Sequence, residues 1–152
     1  MHEELDRLAR SARLDDPAHE HLRLAFGHAC ARRVEHFLEE PEVVACLSGL
    51  GRYLAGTIDR PALGALAREA AELANRHRGS ASIDGCGHAA VSATYAVAQA
   101  LSGRALQAAE YAAYAAVYGQ GGYGAVNDPD SFAPEFRWQV DRLAALISAA
   151  PA

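Results

Sequence analysis

Residues 85–118 read GCGHAAVSATYAVAQALSGRALQAAEYAAYAAVY, and this stretch decides the fold. Between Asp84 and Arg104 no residue is charged, and between Arg104 and Tyr118 only Glu110 is. The apolar residues recur at three- and four-residue spacing, which predicts two helices, over 84–101 and 103–118, at the centre of the molecule. Their small side chains let facing backbones approach closely, or leave room between them for something that is not protein. The longest uncharged run, 85–103, contains His88, Ser92, Gln99 and several glycines, so a buried helix is a better reading than a membrane span.

Outward from this pair, helix starts recur. Asp16-Pro17, Glu40-Pro41 and Arg60-Pro61 each place a proline where its missing N–H costs nothing, and Asp59 precedes the last of them. Ser82 or Asp84 would cap the fifth helix. The expected helices are 3–13, 17–39, 41–55, 60–77, 84–101, 103–118 and 135–148. In the fourth, Arg68, Glu69, Glu72 and Arg76 lie opposite Leu63, Leu66, Ala67, Ala70 and Leu73 or Ala74, so this helix is expected at the surface. No segment alternates in the manner of a strand. Residues 119–134, GQGGYGAVNDPDSFAP, are rich in glycine and turn formers and are expected to form a loop, a lid or irregular cap. The fold class is therefore all-α: a single-domain bundle of about seven helices over 1–152, with a buried uncharged central pair.

The chain of 152 residues is 51% apolar with a formal charge of −5, which suits one globular domain. Its permanently charged basic side chains are all arginine, scattered along the chain with only Arg32 and Arg33 adjacent, and alanine makes up about a quarter of the residues. Without a basic stripe to neutralise phosphates, nucleic acid is not an expected ligand. The first residues, MHEELDRLAR, are charged rather than apolar, so no secretory signal is read and a cytoplasmic location is expected. Cys30, Cys46 and Cys86 are an odd set, read as buried thiols rather than a disulfide framework. His28-x-Cys30 and Cys86-x-His88 hold zinc-ligand types, but residues two apart on a helix point about 200° away from each other, so no metal is expected. Asp84-x-Cys86-x-His88 matches no hydrolase signature, and the acidic residues around Asp128 fail the calcium-loop spacing.

Four hydrogen-bonding side chains, His88, Ser92, Tyr95 and Gln99, fall on one face of the uncharged fifth helix. Leaving such groups unpaired inside a protein costs about 1–3 kcal/mol each, so neighbouring helices satisfy them or a ligand does. Tyr111, Tyr114 and Tyr118 form a stripe on the sixth helix, which packs in the core with its hydroxyls at the rim or walls a pocket, and Tyr123 follows it. Trp138 shares one side of the last helix with Glu135 and Arg142. The first expectation is an internal pocket between the fifth, sixth and seventh helices that binds a medium-sized, largely apolar organic molecule. Ser92, Gln99, Tyr111, Tyr114, Tyr118, Tyr123 and Trp138 would line it. As an enzyme it would be a cofactor-free cyclase or isomerase of a biosynthetic pathway, with His88 and Tyr95 as catalytic residues polarising a carbonyl.

HACARRVEHF around Cys30, GHAAVSATYAVAQALSGRALQAAEYAAYAA with His88 and Tyr111, and EFRWQVDRL with Glu135, Trp138, Gln139 and Leu143 resemble the Imm5-like family of small bacterial all-helical immunity proteins. The resemblance covers most of residues 24–145. It implies a second expectation, that the protein neutralises a bacterial toxin by binding it directly. The surface for that would be acidic, around Glu39, Glu40 and Glu42 or around Asp128 and Asp130.

Overall fold

The computed structural model describes residues 2–77 and 86–150, with the side chains of Cys86 and Tyr123 outside that description. The caps proposed at Ser82 and Asp84 also lie outside the described residues. The described chain is all-α: α1 (Glu3–Ser11), α2 (Glu20–Arg33), α3 (Pro41–Leu54), α4 (Arg60–Arg76), α5 (Cys86–Leu101), α6 (Ala105–Ala125) and α7 (Ala133–Ala149). Short 3-10 turns at Pro17–His19, Glu35–Phe37 and Pro129–Phe132 join them. Among the described residues there is no strand.

The prolines act as the sequence predicts. Pro17, Pro41 and Pro61 each occupy a first-turn position, and Asp16 and Asp59 accept the Ala18 and Ala62 N–H groups at 2.9 Å. Two expectations need correction. The segment 17–39 is not one helix: the Asp16-capped 3-10 turn precedes α2, and α2 stops where buried Val34 leaves helical geometry (φ −113°, ψ 14°). The backbone then turns and extends through Leu38 and Glu40 towards Pro41, whose ring disfavours a helical residue before it.

Nor are residues 119–134 a loop. Helix α6 continues to Ala125, and α7 begins at Ala133 rather than 135. Glycine lowers helix propensity by about 1 kcal/mol per residue without forbidding the helix, and here packing decides. Gly119 faces the Phe37 ring so closely that a side chain at 119 would overlap it. The glycine chemistry appears at one point: Gly122 (φ 68°, ψ −158°) breaks the helix in a conformation open essentially to glycine alone.

Helix α5 is the centre, flanked by α2, α3, α4 and α6. Val97, Ala98, Ala100 and Leu101 join one core with Val43, Cys46, Leu47 and Leu50 of α3 and Leu63, Ala70, Leu73 and Ala74 of α4. Ala93 and Ala96 join a second with Leu5 and Ala9 of α1, five alanines of α6, and Leu143 of α7. Helix α2 serves both, with Leu24 and Ala31 in the first and Phe26 and Cys30 in the second. Helix α4 keeps Arg68, Glu69, Glu72 and Arg76 outside, as its pattern requires. Small residues allow the close packing: a methyl built on Gly27 would sit 3.2 Å from the Ala100 Cα. Among the described residues no helix is long and apolar enough to cross a membrane.

Candidate functional site

The polar ribbon of α5 lies along the edge of the helix, not in its centre. His88 is exposed, and Ser92, Tyr95 and Gln99 are half-buried, while Ala89, Ala93, Ala96, Val97 and Ala100 turn inward. The Tyr95 hydroxyl donates to Asn75 Oδ1 at 3.2 Å, and the Gln99 Oε1 is buried without a hydrogen bond among the described residues. The buried polar side chain of this helix is Thr94, which the reading of the ribbon did not include; its hydroxyl donates back to Ala90 O at 2.7 Å.

The ribbon meets the tyrosine stripe of α6. Tyr95 stacks on Tyr111 with ring centroids 5.2 Å apart, and His88 stacks on Tyr118 at the same 5.2 Å. Seven residues back on α5 correspond to seven forward on α6, so the two helices run antiparallel in register. Tyr114 stands about 40–60° around the helix from this pair; its ring lies tilted 6.3 Å from that of Tyr118 and meets Phe132 edge to face at 5.2 Å. It is 37% exposed.

That other side holds a cleft of about 630 Å³. Helix α6 supplies Leu106, Gln107, Glu110, Ala113 and Tyr114, and Val126, Pro129 and Phe132 come from its C-terminal end and the following turn. Phe136 and Gln139 of α7, with His2, Leu5 and Asp6 at the start of α1, complete it. The cleft thus shares α6 and α7 with the expected pocket, but α1 stands in the place expected for α5. The reason is that α5 has spent its faces on four other helices.

Three local devices hold the walls. The Gln139 Nε2 donates to Ala109 O at 2.8 Å, tying α7 to α6 through a side chain that is almost fully buried. The His2 ring stacks on Phe136 at 4.0 Å; its Nε2 lies 3.0 Å from Phe136 O and its Nδ1 accepts the Leu5 N–H at 3.4 Å. Those contacts fit one tautomer, protonated at Nε2, and leave neither ring nitrogen for a ligand. Behind α7, Glu135 pairs with Arg33, whose guanidinium lies 4.5 Å over the Trp138 ring.

The expected site residues therefore divide. Tyr114 lines the cleft; His88, Ser92, Tyr95, Gln99, Tyr111, Tyr118 and Trp138 do not. Tyr123 lies in α6 with its side chain outside the described residues. Leu5, Asp6, Glu110, Phe132 and Phe136 were missed as site residues. Leu106, Glu110, Ala113 and Tyr114 do share one helical face, but nothing local to α6 says what that face meets.

The two described thiols are chemically quiet. Burial, reinforced by the Glu135 carboxylate, pushes Cys30 far up, and burial with Glu69 pushes Cys46 up to about 11, so neither is a thiolate nucleophile at neutral pH. Among the described residues no cluster of three histidine, cysteine or acidic side chains is placed to hold a metal.

Taken together these features describe an all-α, single-domain protein with one face built as an aromatic cleft. The chain matches no family profile, no curated protein and no solved structure.

Proposed function

We propose that this protein binds a medium-sized, largely apolar organic molecule in the cleft between α1, α6 and α7. The observation that carries the reading is the cleft itself: its 630 Å³ falls within the roughly 300–1,000 Å³ of small-molecule sites, and its walls are mainly aromatic and aliphatic with a few polar groups. A cofactor-free isomerase or cyclase would use such a space by holding a flexible chain in reactive geometry, worth up to about 7–11 kcal/mol in ideal intramolecular systems. In this reading His88 and Tyr95 support the α5–α6 contact and do not touch the ligand.

The Imm5-like resemblance leads to a second reading, an immunity protein that covers a toxin. Of the residues that carry the resemblance, Cys30 is buried and Tyr111 and Trp138 are half-buried, whereas His88, expected inside, is exposed. The acidic candidates Glu39, Glu42, Asp128 and Asp130 are exposed and available to a basic partner.

The test uses diphenylhexatriene, a neutral apolar fluorophore. Its emission should rise saturably at one site per chain, and Leu106→Trp and Val126→Trp, each filling the cleft, should weaken binding at least about tenfold while circular dichroism and melting are retained. Non-saturable binding, or affinity unchanged in two folded variants, would overturn the reading.

A further inference from the structure

Resting on that reading, we infer that the cleft selects an organic cation: an apolar body carrying a protonated amine or a quaternary ammonium. Two carboxylates, Asp6 and Glu110, stand among its lining residues, and among the described residues neither forms an ion pair. No lysine or arginine is in the described lining. The imidazole of His2 has both nitrogens engaged with backbone groups, so it offers no N–H to an anion.

The aromatic wall is continuous. Tyr114 meets Phe132 edge to face at 5.2 Å, Phe132 leans on Phe136 at 5.5 Å, and Phe136 stacks on His2. Aromatic rings and carboxylates lining one cleft form an environment that attracts a weakly hydrated ammonium, because both the ring quadrupole and the acid favour positive charge. One feature pulls the other way, the N-terminus of α1, whose exposed N–H groups carry partial positive charge. It is already answered from within the chain: His2 caps the Leu5 N–H, and Glu3, Glu4 and Asp6 occupy the first turn. The net field in the cleft therefore favours a cation, and the apolar wall favours one with a hydrocarbon body rather than a metal ion.

Three fluorophores with one body separate the possibilities: diphenylhexatriene, its trimethylammonium derivative and its propionate derivative. The cationic probe should bind about tenfold more tightly than the neutral one at low salt, and the propionate more weakly than either. Asp6→Asn and Glu110→Gln should each lower affinity for the cation about threefold and leave the neutral probe unchanged, and added salt should narrow the difference. Glu110 is exposed on α6, so its variant reports without disturbing the fold. Equal binding of all three probes would overturn the cation inference and leave the cleft reading standing. Failure of all three, with a basic polypeptide still retained, would overturn both in favour of a macromolecular partner.

Discussion

Arg33 on α2 grips Glu135 on α7 with two parallel hydrogen bonds, Nε to Oε2 at 2.7 Å and Nη2 to Oε1 at 3.1 Å, across 102 residues of sequence. The carboxylate residue is only 5% exposed, while the guanidinium keeps one side towards water and the other over Trp138. Together with the Gln139–Ala109 hydrogen bond and buried Leu143, this pair fixes where α7, and with it Phe136 of the cleft, lies against the core.

The two halves of this pair should not be equivalent. Arg33→Met leaves a buried carboxylate without its partner and is expected to cost about 2–3 kcal/mol, discounted from a fully buried pair because the arginine is partly solvated. Glu135→Gln removes the charge as well and should cost about 1–2 kcal/mol. Urea unfolding measures both, and an Arg33→Met loss under about 0.5 kcal/mol would show that the clamp contributes little.

Glycines in two helices should respond to alanine with opposite signs. In α4, a methyl on Gly64 meets only the Arg68 Nη1, at an ordinary 3.7 Å, so Gly64→Ala should stabilise by about 0.5–1 kcal/mol through helix propensity. In α2, the methyl of Gly27→Ala would lie 3.2 Å from the Ala100 Cα and 3.3 Å from its Cβ. Backbone must move there, and the overpacking cost of about 1–3 kcal/mol should exceed the propensity gain. Melting temperatures shifted in the same direction by both substitutions would contradict the close α2–α5 approach.

His28 should give the stability a dependence on acid. Burial first, then the Arg32 charge, with Glu35 opposing, hold its pKa below the ordinary histidine value of about 6.5. The unfolded chain consequently takes up this proton at higher pH than the folded one. Its contribution is complete above about pH 6.5 and is lost as the pH falls from there towards the lower folded value. Urea midpoints for the wild type and His28→Gln, compared across that window, should diverge near neutrality and converge on acidification. A constant difference would remove His28 as the source.

Much of the architecture was legible without coordinates. The absence of charge from α5, the prolines at Pro17, Pro41 and Pro61, and the charged stripe of α4 each report on backbone geometry or burial within one element. The polar ribbon of α5 was equally visible, but its meaning was not. A row at helical spacing identifies a face without saying whether that face meets a cavity, another helix or solvent, and His88 and Tyr95 proved to meet Tyr118 and Tyr111. The run of glycines after Tyr118 predicts a loop because propensity is a local quantity, whereas the fit of Gly119 against Phe37 is not.

From the order of its amino acids alone come the all-helical class, the uncharged central pair and the exposed side of α4, since each follows from periodicity along a single segment. Folding in three dimensions chose which surfaces would face one another: α1 against α7, Arg33 against Glu135, Tyr114 towards Phe132 instead of α5. Alanine-rich faces differ little in shape and chemistry, so short-range pattern ranks their partners poorly. The decision falls to contacts between residues far apart in the chain, and the cleft exists only once those contacts are made.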